Sequence, residues 1–126
     1  MHDLQAGMSG VVELTVGDSD TALALGSGDV PVLGTPRVVA LCEQATLRAV
    51  EGYLGAGQTT VGMRIQLDHV HPSSIGDKVR AEATLEKIEG RRLTFTVSVN
   101  DARSLLACGK VTRAIVDIDR FLGKGE

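Results

Sequence analysis

The stretch TPRVVALCEQATLRAV, residues 35 to 50, decides how this chain folds. Thr35 followed by Pro36 reads as a helix start, with Thr35 as N-cap and Pro36 at the first helical position. Gly52, Gly55 and Gly57 are expected to stop the helix near Tyr53. At about 100° per residue, Val38, Leu41, Cys42, Ala45 and Ala49 form one apolar face. Val39, Leu47 and Val50 carry that face round through the sector that holds Glu43, so only Arg37, Gln44 and Arg48 form a polar sector. A helix this apolar is expected in a core, wrapped by other structure. The carboxylate of Glu43 is then costly unless something pairs with it or uses it.

Working outward, the wrapping material is strand. Val12, Leu14 and Val16 alternate within residues 11 to 16, after a start at residues 1 to 9 that has no periodicity and reads as loose. Residues 21 to 34, with Gly26, Gly28, Pro31 and Gly34, read as a short strand or helical turn and then a mobile, lid-like loop. After Gly57, Val61, Met63, Ile65, Leu67 and His69 share one strand face against Arg64, Gln66 and Asp68. Val79 to Leu85 and Leu93 to Val99 flank a hairpin turn at Glu89-Gly90-Arg91. Leu105 to Ile118 is a last long strand, with Gly109 read as a bulge. One helix among about five antiparallel strands predicts a single α+β domain over residues 1 to 126, a curved sheet wrapped around one long central helix. That is the hot-dog architecture, whose subunits pair and whose sites lie where two subunits meet.

Composition narrows the function. The 126 residues are 43% hydrophobic and 23% charged, which fits one globular domain. Aromatics are only Tyr53, Phe95 and Phe121, so the core is built from aliphatic side chains and a subunit interface is expected to complete it. A net charge of −3, with no basic stripe and no aromatic platform, argues against nucleic acid. The start, MHDLQAGMSG, lacks the features of a signal peptide, and no apolar run spans a bilayer, so the expected location is the cytoplasm. Cys42 and Cys108 read as core thiols and not as a disulfide.

Four segments in order resemble the fluoroacetyl-CoA thioesterase family of hot-dog proteins: GTPRVVALCEQATLRAV, TTVGMRIQLDHVHPSSIGD, KIEGRRLTFTVSVND and GKVTRAIVDIDRF. The resemblance covers roughly residues 31 to 121. It implies that Thr35, Glu43 and His69 are the catalytic group, that the Gly62 N–H helps hold the thioester oxygen, and that Arg113 contacts ligand or Glu43. The reaction implied is hydrolysis of a small or medium acyl-CoA to the free acid and coenzyme A, by a homodimer or a pair of dimers, with no cofactor. The bulky aromatics of the family's namesake have no counterpart between Thr21 and Gly34, which leaves the acyl group open.

The chemistry needs these residue types. A carboxylate serves as nucleophile or as general base on water. An imidazole orients water or protonates the departing thiolate, and a glycine lets substrate approach an N–H donor. Plainer roles compete: Thr35 as helix cap, Glu43 as the structural partner of Arg64, Arg80 or Arg113, and His69 as an edge-of-core histidine. His69 and His71 have a spacing that metal sites use, but no third ligand is evident, so no metal is expected. A non-catalytic acyl-CoA-binding module and an enoyl-CoA hydratase are the alternative functions; the second is disfavoured because no histidine lies in the helix.

Overall fold

The structure, a computed structural model, describes residues 3–123. In chain order the elements are β1 (Ser9–Thr15), a 3-10 turn (Asp18–Asp20), α1 (Ala22–Leu25), α2 (Thr35–Ala49), β2 (Gln58–His69), β3 (Lys78–Glu89), β4 (Arg92–Asn100), β5 (Leu105–Asp117) and α3 (Ile118–Phe121). The strands form one antiparallel sheet in the order β1-β3-β4-β5-β2, which leaves β2 at an edge. The sheet curls as a half-barrel, and α2 touches all five strands. This is the hot-dog arrangement expected from the order of elements. No helix among the described residues is long and apolar enough to cross a membrane.

The core lies between α2 and the concave face of the sheet. Val38, Leu41, Cys42, Ala45 and Ala49 meet Val79, Ala81, Ala83 and Leu85 of β3 and Leu93, Phe95, Val97 and Val99 of β4. Small residues let the layers approach: a Cβ on Gly10 would run into the helix backbone at Ala45 and Ala49. Leu4 and Met8 also pack on this core, and the main chain at Gly7 and Met8 bonds to Leu85. The loose start expected at residues 1 to 9 therefore does not hold for residues 3 to 8, and residues 1 and 2 lie outside the described residues.

The helix departs from expectation at both ends and on one side. Its N-cap is Gly34 and not Thr35, and no side chain caps it. It stops at Ala49, one turn short of Tyr53, because the chain reverses through Gly52 at φ +84. The helix is not wrapped all round: Leu47 is 42% exposed, and Glu43 and Val39, one and two turns before it, are only partly buried. A single chain leaves that stripe uncovered.

Two strand details also differ. Gly109 pairs in regular register and forms no bulge; its lack of a side chain instead admits the β2 backbone at Gln66 and Leu67. The bulge lies in β2, where the register shifts between Gly62 and Arg64. Cross-strand partners share a face. Gly62 faces buried Arg113, Arg64 faces Thr112, and His69 faces buried Ala107. The inward face therefore runs through Thr60 and Gly62, skips at Met63, and resumes at Ile65, Leu67 and His69. Val61 and Met63 are not on it, and Met63 is 52% exposed.

The lid-like segment is fastened at its base. Thr21 bridges Leu33, and Val32 bridges Ser74. Arg37 on α2 donates to Asp20 at 2.8 Å. Between these anchors, Leu23, Leu25 and Val30 are exposed.

Candidate active site

The bulge decides what the site contains. Gly62 and His69 are seven residues apart, an odd separation that a regular strand would put on opposite faces. One extra residue in the strand returns both to the helix side. Each then meets a different part of α2.

At the N-terminus of α2, the Thr35 hydroxyl lies 2.8 Å from His69 Nδ1. Gly34 holds the N-cap position with no side-chain cap, and the Thr35 hydroxyl goes to the imidazole instead. His69 Nε2 is buried and has no hydrogen-bond partner among the described residues. Burial pushes the His69 imidazole below its ordinary range, opposed in part by the main chain of His71. The ring is therefore neutral at physiological pH, with one nitrogen fixed and the other awaiting a partner. Both residues line a pocket of about 330 Å³ whose remaining wall includes Ala22, Val30, Val32 and Val70. His71 also lines it, from beyond the end of β2.

Two turns along the helix is the second cluster. Arg113 Nη1 donates to Glu43 Oε2 at 2.8 Å. Arg113 is 6% exposed, held by Thr60, whose hydroxyl accepts from Nε at 2.9 Å and whose carbonyl accepts from Nη2 at 2.9 Å. Of the three arginines considered as partners, Arg113 is the one that pairs; Arg80 faces Glu82 instead. Desolvation pushes the guanidinium down and the Glu43 charge opposes it; an arginine keeps its proton all the same. The Glu43 side chain is 32% exposed, so the carboxylate sits at a rim and not deep in apolar surroundings. Its Oε1 makes no hydrogen bond among the described residues. Gly62 lies directly under the carboxylate: a Cβ there would stand 2.6 Å from Oε2.

Next to Glu43, burial first and the Glu43 charge second push the Cys42 thiol up to about 12. A thiol so protonated and so enclosed is no nucleophile. No group of three or more metal-ligating side chains occurs among the described residues. The site can therefore offer a half-open carboxylate, a neutral imidazole and a hydroxyl. Those are the parts of a hydrolytic centre working by acid–base or carboxylate chemistry. Thr60 escaped the sequence reading, because strict alternation along β2 points it outward; only the bulge reverses that.

Comparison with known proteins bears on the family and the fold. The family model for the fluoroacetyl-CoA-specific thioesterase, FlK, matches residues 16–119. The fluoroacetyl-CoA thioesterase of Streptantibioticus cattleyicolor is 33% identical over 93 residues, which is 74% of this chain and 67% of that protein. The solved structure of fluoroacetyl-CoA thioesterase FlK superposes with a TM-score of 0.91 at 28% identity, covering 98% of this chain and 96% of that one. A Thermus thermophilus protein of the thioesterase superfamily shares the fold, with a TM-score of 0.88 at 23% identity over 98% of this chain and 91% of its own. A family model that spans most of the chain and a relative 33% identical over two thirds of its own length place it among thioester hydrolases: the chain is a member of the fluoroacetyl-CoA-specific thioesterase family.

Proposed function

We propose that the chain hydrolyses the coenzyme A thioester of a small or medium acyl group as a homodimer, with Glu43 as nucleophile or general base and with Thr35 and His69 serving the leaving group. The observation that carries this reading is the Glu43 carboxylate. One oxygen is tied to a buried guanidinium, while the other is free at a half-open rim beside a residue with no side chain. A carboxylate kept only for structure has no need of that opening. Either water adds to the thioester carbonyl under general-base catalysis by Glu43, or the Glu43 carboxylate adds first and expels the thiolate, leaving a mixed anhydride that water then hydrolyses. The C–S bond breaks, and a proton goes to the thiolate, giving the acid and free coenzyme A. The Gly62 N–H, approachable because no Cβ intervenes, is the proposed donor to the oxyanion.

The two clusters support the dimer. Eight residues of helix separate Thr35 from Glu43, about 12 Å along the axis. Within one chain the imidazole and the carboxylate therefore stand at different stations. The β2 edge is unpaired in the sheet and carries exposed Met63 and Ile65, with exposed Val70 just past its end, an apolar edge of the kind that pairs with another strand. Antiparallel pairing with a second copy sets the start of one β2 beside the end of the other. That brings the Thr35–His69 pair of one protomer toward the Glu43–Gly62 cluster of its partner, and it covers the open stripe of α2.

The acyl group is proposed to enter the pocket beside Thr35. Val30 and Val32 from the lid-like segment, with Val70, give that pocket an aliphatic wall in place of an aromatic one. An aliphatic wall of this kind can pack along the methylenes of an acyl chain longer than two carbons. The test is thiol release from a panel of acyl-CoA thioesters of increasing length, with Glu43→Ala as control. The expected result is turnover that peaks beyond the two-carbon chain and is lost in Glu43→Ala. Full turnover by Glu43→Ala would overturn the assignment of the carboxylate.

A further inference from the structure

The guanidinium that holds Glu43 is itself aimed by a single residue. Thr60 is 4% exposed and lies on β2, two positions before Gly62. Its hydroxyl takes Arg113 Nε and its carbonyl takes Arg113 Nη2, both at 2.9 Å. Two acceptors from one residue engage one edge of a planar, forked cation, which fixes the plane as well as the position. The remaining nitrogen, Nη1, is then directed at Glu43 Oε2. Arginine has a long, many-rotamer side chain, and contact with the carboxylate alone would leave the plane free to turn.

We propose that Thr60 is a positioning residue for the hydrolysis, acting through Arg113 to hold the Glu43 carboxylate in its working orientation. This rests on the assignment of Glu43 given under the proposed function. The Thr60 carbonyl would be supplied by any residue, so the hydroxyl is the part that the sequence specifies. Three of the five Arg113 N–H groups are committed to this chain's own atoms. Its first task is therefore to orient Glu43 and not to bind substrate. The Thr60–Arg113 pair is the inflexible part of the cluster, and the half-exposed carboxylate is the part that needs it. With one oxygen anchored, the free oxygen Oε1 keeps a constant direction toward the rim, as a nucleophile or base requires.

The experiment compares steady-state thiol release by Thr60→Val, Thr60→Ser and Glu43→Ala, alongside thermal unfolding of each. Thr60→Val keeps the shape and removes the hydroxyl. The expected result is a kcat about ten- to a hundredfold lower with KM changed less than about twofold, and recovery to within about threefold in Thr60→Ser. Glu43→Asp supplies a second background, because its shorter side chain cannot keep the same contact with Nη1. There Thr60→Val should cost about threefold or less, since neighbouring groups that act as a unit are non-additive. Equal loss in both backgrounds, loss that follows the unfolded fraction, or full activity in folded Thr60→Val would each overturn the proposal while leaving the Glu43 assignment standing. Full activity in Glu43→Ala would bring down both.

Discussion

Gly62→Ala separates two reasons for a glycine at this position. An oxyanion donor needs only the main-chain N–H, which alanine keeps. A carboxylate that must fit over the strand needs the absent side chain. The new Cβ would stand 2.6 Å from Glu43 Oε2, whereas ordinary contact begins near 3.4 Å, so the oxygen must retreat by roughly 0.8 Å. The Cβ would also lie 3.7 Å from Arg113 Nη1, an ordinary contact, so the cation is not the part displaced. The carboxylate yields because its side chain is 32% exposed and has room outward, while Arg113 is pinned by Thr60. A retreat of that size strains or breaks the 2.8 Å bond to Arg113. Misplacing a reacting group by about 1 Å costs on the order of 10²-fold, so kcat for thioester hydrolysis should fall by about 30- to 100-fold. The thermal midpoint should change little, since the freed carboxylate gains solvent as it loses its partner. The assay is thiol release over a range of substrate concentration, paired with a melting curve. If Gly62→Ala keeps more than about a third of wild-type kcat, the spacing argument fails and only a main-chain role for Gly62 is left.

Three other perturbations follow from the same geometry. Thr35→Val should lower kcat by about tenfold or more while leaving the thermal midpoint nearly unchanged, because the Thr35 hydroxyl caps no main-chain N–H and goes to His69; a large drop in melting temperature would show that the hydroxyl is a cap after all. Burial holds the His69 imidazole below its ordinary value of 6.5 in the folded state, so the neutral-state stability it contributes is full above 6.5 and is lost as pH falls through the lower folded value. Denaturant titrations of wild type and His69→Gln should accordingly show a stability gap that narrows as pH drops from 7.5 to about 5, and a gap that widens would reverse the sign of the argument. Cys42 is buried, with a thiol pushed up to about 12; iodoacetamide should leave it unmodified in native protein and label it in denaturant, and rapid native labelling would mean that the core around α2 opens readily.

What the sequence shows of this protein depends on how local each feature is. The helix at residues 35 to 49 and the period-two strands are local patterns, and the antiparallel sheet around one helix follows from them. The pairing of Glu43 with Arg113 was one of three options, because choosing among arginines on different strands needs the register. Thr35 reads as cap and site residue at once, since a Thr-Pro pair at a helix start has the first meaning locally; the contact with His69, 34 positions away, removes the cap. The inward face of β2 up to and including Met63 does not follow from alternation, for a related reason. A bulge is an extra residue in one strand relative to its partner, and a single strand's alternation carries no record of the partner. Thr60 was hidden by that one shift. Glu43 read as enclosed because helix periodicity shows which residues are apolar and not which of them a given chain covers.

That last misreading has a physical meaning. Val39, Glu43 and Leu47 form a stripe that one chain leaves open, and Leu47 is 42% exposed. The stripe is apolar except at Glu43, which is what a helix presents when its burial is finished by another surface. The uncovered edge of β2 is of the same kind, with Met63 at 52% and Ile65 at 36% exposure flanking the polar Arg64. A carboxylate on such a boundary, with the role proposed for Glu43, can be solvated in the isolated chain and enclosed in an assembled one. Enclosure would remove water from around the Glu43–Arg113 pair and strengthen every charge interaction there. Assembly and activity would then be coupled: a substitution that places a charge on the β2 edge away from the inward face, such as Met63→Lys, should abolish thiol release and dimerisation together, with β3, β4 and the core of α2 still folded. Sedimentation read against thiol release at matched concentrations tests the coupling, and a fully active monomer would refute it.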